Sequence, residues 1–240
     1  MADLVLENLV KTYNAKTVVN KVNLTVSQGK VAGLLGPNGA GKTTTFYMAV
    51  GMIRPDKGSV YLDQEDITAN PMYIRARKGI GYLPQEASIF KKLTVKQNIT
   101  AILEVLPKSG MDIEKKAMGL MKELGIDKLA HQKAASLSGG ERRRLEISRV
   151  LATDPKFILL DEPFAGIDPL AVIDIQQIIS QLTLRGIGVL ISDHNVRETL
   201  GVCDHAYIMS QGMVIESGAP EVIISSEIAK KIYLGDNFKL

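Results

Sequence analysis

The sequence predicts an α/β core interrupted by a helical insert. Three observations point there. Val31–Leu35 and Phe157–Leu160 are continuous apolar runs, as in strands covered on both faces. Between them, from about Val95 to Ala152, the pattern turns helical. After Pro155, strand-like and helix-like segments alternate again. The two pieces of core must meet in space. The expected organisation is therefore one folding unit: residues 1–94 and 153–240 form the α/β core with a β subdomain, and residues 95–152 form a helical subdomain.

The elements follow in order. In Lys21–Val26 apolar and polar residues alternate with period 2, as on a half-buried strand. Val31–Leu35 leads into a Gly-rich loop, and a helix is expected from about Lys42 to Ile53. Shorter strands are expected near Ser59–Leu62 and Ile80–Leu83. In the insert, Pro107 and Ser109-Gly110 predict a break. Met118, Met121 and Leu124 share one helical face and read as core. Beyond Phe157–Leu160 come a helix from about Asp168 to Arg185 and a strand at Gly188–Ile191. Ala206–Met209 and Met213–Glu216, flanking Gln211-Gly212, read as a hairpin, and a short helical tail follows.

Composition limits the possibilities. Hydrophobic residues make up 45% and charged residues 23% of the 240 residues, as in ordinary globular proteins. A net charge of +3 is too small to argue for nucleic acid. Cys203 is the only cysteine, which excludes an internal disulfide and suits a reducing compartment. The N-terminus lacks a basic region before an apolar stretch, so it does not read as a signal peptide. No run of about 18 apolar residues occurs, so any action at a membrane is expected to need a partner.

Gly36-Pro37-Asn38-Gly39-Ala40-Gly41-Lys42-Thr43 matches the phosphate-binding pattern G-x-x-x-x-G-K-[ST] between an apolar strand and a helix. The glycines let backbone N–H groups line a concave nest, and the helix N-terminus adds partial positive charge. Lys42 is expected on the β- and γ-phosphates of ATP and the Thr43 hydroxyl on Mg²⁺. Thr44, next in the first turn, joins the candidate nucleotide contacts.

Phe157-Ile158-Leu159-Leu160-Asp161-Glu162 is an apolar strand ending in two carboxylates. They are expected at the C-terminal edge of the sheet, where open α/β sheets bind ligands. Asp161 can hold Mg²⁺ through water, and Glu162 can polarise an attacking water.

Leu137-Ser138-Gly139-Gly140-Glu141 resembles the signature motif of ABC transporter ATPases. With the loop at 36–43 and the Asp161-Glu162 pair in the right chain order, the resemblance covers essentially the whole chain. It implies a P-loop NTPase (RecA-like) core with an antiparallel β subdomain and an inserted α-helical subdomain. It also implies a head-to-tail homodimer sandwiching two ATP molecules, in which Ser138, Gly139 and Gly140 reach the γ-phosphate bound by the other copy. Tyr13 falls where family members stack an aromatic on adenine. Gln85, in Tyr82-Leu83-Pro84-Gln85-Glu86, matches the glutamine that touches Mg²⁺ and the water and links to the membrane subunit. His194, in Ile191-Ser192-Asp193-His194, matches the switch histidine beside the γ-phosphate. Asp168 ends Phe164-Ala165-Gly166-Ile167-Asp168, where many members read Ser-Ala-Leu-Asp. His131 and His205 match nothing in the family. Arg142–Arg144, beside Glu141 and Glu146, read as a solvated, ion-paired face and not as a nucleic-acid site.

Within the family, four stretches are similar to the branch that powers lipopolysaccharide export: Gly79–Phe90, Leu160–Pro169, Asp193–Leu200 and Tyr233–Phe238. This implies two membrane permease subunits and indirect membrane contact at the cytoplasmic face of the inner membrane. ATPases of branched-chain amino-acid import have similar motifs around Asp193-His194. Soluble ABC ATPases usually carry two cassettes or a long coiled-coil insertion, and neither occurs here. Ile89, Phe90 and Leu93 place apolar groups in the link between core and insert. Phe90 is the candidate anchor for a permease helix, unless these residues pack inward.

Overall fold

The computed structural model describes residues 2–106, 112–235 and 238. The break expected at Pro107 and Ser109-Gly110 lies outside the described residues, as do Asp236 and Asn237. The chain begins with β1 (Asp3–Tyr13) and β2 (Lys16–Ser27), then β3 (Val31–Leu35) and α1 (Lys42–Val50). Next come β4 (Lys57–Leu62), β5 (Glu65–Asp66), α2 (Met72–Arg77) and β6 (Ile80–Leu83). The helical stretch holds α3 (Val95–Glu104), α4 (Ile113–Glu123) and α5 (Gly139–Leu151), with 3₁₀ turns at Asp127–Leu129 and Ala134–Ser136. Then follow β7 (Phe157–Asp161), α6 (Pro169–Leu184), β8 (Gly188–Ser192), α7 (Val196–Leu200), β9 (His205–Ser210) and β10 (Met213–Gly218). The short helices α8 (Pro220–Ser225) and α9 (Glu227–Ala229) lead to a π-helical turn at Lys230–Leu234.

Two sheets organise these elements. The antiparallel sheet has the order β2-β1-β4-β5, and the six-stranded sheet has the order β10-β9-β3-β8-β7-β6. In the larger sheet every pair from β9 to β6 is parallel, and β10 closes the edge as the antiparallel arm of the expected hairpin. Both of its faces are covered, which accounts for the unbroken apolar runs. Ile158, Leu160, Val189 and Ile191 face a core that includes the helices of the insert. Ala32, Leu34, Leu159 and Leu190 face the core shared with the antiparallel sheet. In β2 the period-2 reading holds residue by residue: Val22, Leu24 and Val26 are buried, while Lys21, Asn23 and Thr25 are exposed.

Helix α1 contributes Phe46, Met48, Ala49 and Val50 to that second core. It stops at Val50, short of the expected Ile53, because Gly51 takes a left-handed conformation (φ 89°). Its C-terminal carbonyls are held by an arginine. The fully buried Arg75 on α2 donates from Nη1 to Met48 O and Ala49 O, each at 2.8 Å, and from Nε to Asn70 O at 2.9 Å. Burial lowers its pKa to about 10. A cation at the end of a helix complements the dipole, so Arg75 locks the far end of the helix whose near end carries the phosphate loop.

Met121 and Leu124 are buried and Met118 packs against them, as the helical face predicts. Arg142–Arg144 differ from expectation in one respect, the solvation of Arg143. The ion pairing is as expected, Arg144 with Asp174 at 2.5 Å and Arg143 with Glu146 at 3.1 Å, but the Arg143 side chain is only 11% exposed and also donates to a backbone carbonyl, so it is not solvated.

Candidate functional site

Four neighbouring parallel strands end at one edge, and each delivers a candidate residue there. β3 runs into Gly36, β6 into Pro84-Gln85, β7 into Glu162, and β8 into Asp193-His194. Register explains the convergence: Leu34 and Asp161 both pair with Ser192, and Leu83 pairs with Leu160. Ligand sites in open α/β sheets form at this carboxyl edge.

The loop 36–41 needs its glycines. Gly36 (φ 146°) and Gly41 (φ 101°) have positive φ, and an added Cβ would lie 2.2 Å from Met209 O and 2.5 Å from Val18 O respectively. Gly41 caps α1 with no side-chain hydrogen bond, so the first-turn amides of the helix face no capping side chain. Lys42 Nζ donates to Gly36 O (2.5 Å) and Pro37 O (3.0 Å). Burial holds its ammonium below the usual lysine range, while Glu162 and Asp193 oppose the shift. An open cleft of about 320 Å³ is lined by Asn38, Gly39, Ala40, Gly41, Lys42, Thr43 and Thr44, with Glu162 and His194 opposite.

Glu162 is the focus of this edge. Its backbone is left-handed (φ 45°), and its N–H donates to Ser192 O at 2.7 Å. That conformation costs a residue with a side chain roughly 1–2 kcal/mol, so the surrounding strands must hold it. Gln85 Nε2 donates to Glu162 Oε2 at 2.7 Å, and His194 Nδ1 lies 3.4 Å from the same oxygen. Asp161, next to it, is 6% exposed, and its pKa is raised to about 6 by burial first and by Glu162 second; a hydrogen bond with Tyr82 works the other way. Asp193 is fully buried and accepts from the N–H groups of Phe164 (2.9 Å) and Asn195 (2.8 Å). Burial raises its pKa as well.

Three carboxylates at one edge leave a local excess of negative charge suited to a hard cation. Among the described residues no group of three or more His, Cys, Asp or Glu forms a ready cage. Mg²⁺ usually takes one or two carboxylates and completes its shell with water and phosphate. The exposed Thr43 in the first turn of α1 and Asp161 are the available oxygen donors.

A second cleft, of about 500 Å³, is lined by Ser138, Gly139, Gly140, Glu141, Arg144, Asp168, Leu170 and Asp174. Ser138 caps α5 in a reciprocal box: Glu141 N donates to Ser138 Oγ (3.4 Å), and Glu141 Oε2 accepts from Ser138 N and Oγ (2.8 Å each). These hydrogen bonds hold the Glu141 carboxyl below the usual range. Asp168 caps α6, accepting from Leu170 N and Ala171 N at 3.0 Å each. None of Ser138, Gly139, Gly140 or Asp168 lines the cleft around Lys42. Within one chain the two halves of the expected nucleotide site are apart.

A scan of family models matches residues 19–165 to the ABC transporter family. The chain belongs to it. Curated relatives extend the match to the whole length. The lipopolysaccharide export system ATP-binding protein LptB of Escherichia coli (strain K12) is 55% identical over 241 residues, covering 100% of both chains. LptB of Acidithiobacillus ferridurans is 54% identical over 98% of this chain and 97% of its own. Among solved structures, the ADP conformation of MJ1267, an ATP-binding cassette of an ABC transporter, aligns at TM-score 0.90 with 31% identity, over 98% of this chain and 100% of that one. The dimeric structure of the bacterial cassette MJ0796 aligns at 0.77 with 25% identity, over 90% and 98%. The P-loop NTPase fold implied by the motifs is thus the fold of the chain.

Other predicted residues take varied places. Tyr13 ends β1, is 43% exposed and has Lys11 Nζ 5.4 Å from its ring; it does not line the Lys42 cleft. Ile89 is buried in the core and Leu93 is half-buried, so part of the link packs inward. Phe90 stays out, at 45% exposure. Sequence reasoning missed Lys16 and Val18, which line the cleft because β2 hangs over the loop: Asn20 N donates to Gly212 O and Gly212 N to Ala40 O. It also missed the Tyr233 hydroxyl, which is buried beside the Gly36 backbone. No local sequence signal marks either contact.

Proposed function

We propose that this chain is the ATP-binding and Mg²⁺-dependent ATP-hydrolysing subunit of a lipopolysaccharide-export transporter. The observation that carries the substrate is the 54–55% identity to LptB proteins along the full length. What supports the chemistry is the convergence of Gln85 and His194 on Glu162, which lines the Lys42 cleft.

The loop amides and Lys42 bind the phosphates of ATP, the substrate. Thr43 and Asp161 would hold Mg²⁺, with Gln85 beside it, and the ion would supply neutralisation of phosphate charge. The Glu162 carboxylate accepts a proton from the attacking water, with Gln85 fixing it through Oε2 and His194 beside the developing phosphate. Tyr13 stacks on adenine, at the end of β1. Gly36, Pro37, Asn38, Gly39, Ala40, Gly41 and Thr44 surround the phosphates. Ser138, Gly139 and Gly140, with Asp168 nearby, act on the ATP held by a second copy, so the working unit is a head-to-tail homodimer. The separation of the two clefts within one chain favours this arrangement. No nucleic acid is involved.

No helix among the described residues is long and apolar enough to cross a membrane. The identity to LptB proteins supports a homodimer that works through two permease subunits, LptF/LptG-like, at the cytoplasmic face of the inner membrane. Phe90 is the proposed anchor for them. Affinity purification of the tagged chain from membranes, followed by mass spectrometry, tests the assignment. A permease pair of the lipopolysaccharide-export type is expected; permeases of an amino-acid importer in their place would overturn it.

A further inference from the structure

One face of α5 carries charge that the nucleotide chemistry does not use. Arg143, Glu146 and Arg149 lie one helical turn apart and point at the segment Pro84–Phe90. Arg143 Nη1 donates to Pro84 O at 3.2 Å and to Glu146 Oε2 at 3.1 Å. Glu146, 4% exposed, accepts from Ser88 N at 3.0 Å through its other oxygen. Arg149 Nη1 donates to Ser88 O, and its guanidinium carbon lies 4.5 Å from the centre of the Phe90 ring.

Burying such groups is costly unless they are paired and hydrogen-bonded. Glu146 meets that condition with Arg143 and an amide. Arg149 meets it in part, with a carbonyl for Nη1 and an aromatic face for the flat guanidinium, while its buried Nε has no hydrogen-bond partner. Pro84 and Ser88 bracket Gln85, so the loop is gripped on both sides of the residue that touches Glu162. The same helix begins at Ser138.

We propose that Arg143, Glu146 and Arg149 are positioning residues that clamp the Gln85 loop to the signature helix, so that Phe90, Gln85 and Ser138 move as one body. A displacement at the exposed Phe90 is then delivered at once to Glu162 of the same copy and, through Ser138, to the ATP held by the other. The functional consequence rests on the ATPase reading, but the mechanical linkage does not.

The test uses the full chain carrying Cys203→Ala, with nitroxide labels on cysteines at positions 86 and 136, both exposed. Pulsed electron-spin distances are measured without nucleotide. The parent should give one narrow distance. Arg143→Gln with Arg149→Gln should broaden it in a chain that is still folded, with a lowered melting temperature because the buried Glu146 loses its partner. In unlabelled chains the same pair should lower kcat by about 10–100-fold, the usual cost of misplacing catalytic groups, with KM for ATP little changed. If the double variant does not fold, Glu146→Gln, nearly the same in shape, carries the distance test. A distance as narrow as the parent's in the folded variant overturns the clamp. Broadening in a chain whose parent hydrolyses no ATP would keep the clamp and overturn the ATPase reading.

Discussion

Gln85 Nε2 donates to Glu162 Oε2 at 2.7 Å across 77 residues of sequence. The two sit at the ends of adjacent parallel strands, and the hydrogen bond aims one carboxylate oxygen while His194 Nδ1 approaches it at 3.4 Å. A carboxylate held in this way is the candidate base. Glu162→Gln keeps the shape and removes the basicity. Turnover should fall by roughly 10²–10⁴-fold with ATP binding retained. Near-parental turnover in a phosphate-release assay would remove Glu162 from that role.

Asp161 predicts a dependence of stability on pH. Its pKa rises from 3.8 to about 6 in the fold, chiefly through burial. An acid with a raised folded pKa contributes its full stability below the unfolded value and loses it as pH rises through the folded one. In nucleotide-free protein with EDTA, Asp161→Asn should therefore melt higher than the parent at pH 8, by an amount equivalent to about 1–3 kcal/mol. The difference should close towards pH 4. Equal melting curves at both pH values in scanning calorimetry would contradict the desolvated-carboxylate account.

Lys42 already sits in a partly dry setting, donating to two loop carbonyls. A charge-assisted hydrogen bond to phosphate there is worth about 1.5–3 kcal/mol. Lys42→Ala should weaken ATP binding at least about tenfold. An unchanged Kd by equilibrium titration would mean that the cleft does not hold the phosphates.

Phe90 remains exposed while its neighbour Ile89 is buried. Buried aromatics at interfaces often carry about 2 kcal/mol or more. Phe90→Ala should weaken copurification with the permeases and leave the isolated subunit folded with its ATPase activity. Loss of folding, or normal copurification, would return Phe90 to a packing role.

Much of this was legible where local chemistry and tertiary position agree. Asp168 announces α6 because a capping carboxylate is followed by Pro169 and a helical apolar pattern. Ser138 and Glu141 announce α5 through their reciprocal box. Phe157–Asp161 was readable because burial on both faces leaves an unbroken apolar run. The hidden parts depend on distant residues. α2 has six residues and no capping side chain, and Arg75 gains its meaning only from carbonyls of α1. β5 is two residues paired to the end of β4. Arg143 looked like part of a solvated face because its acceptor, Pro84 O, lies 59 residues away. The left-handed backbone of Glu162 has no signature in residue type, since glutamate seldom adopts it.

In the proposed arrangement one chain holds two half-sites, and ATP joins them across a dimer. Light scattering on Glu162→Gln protein at micromolar concentration tests it directly. With saturating Mg²⁺ and ATP the mass should double, and it should return to that of a monomer when nucleotide is removed. A monomer at saturating ATP would contradict the composite site for the isolated subunit.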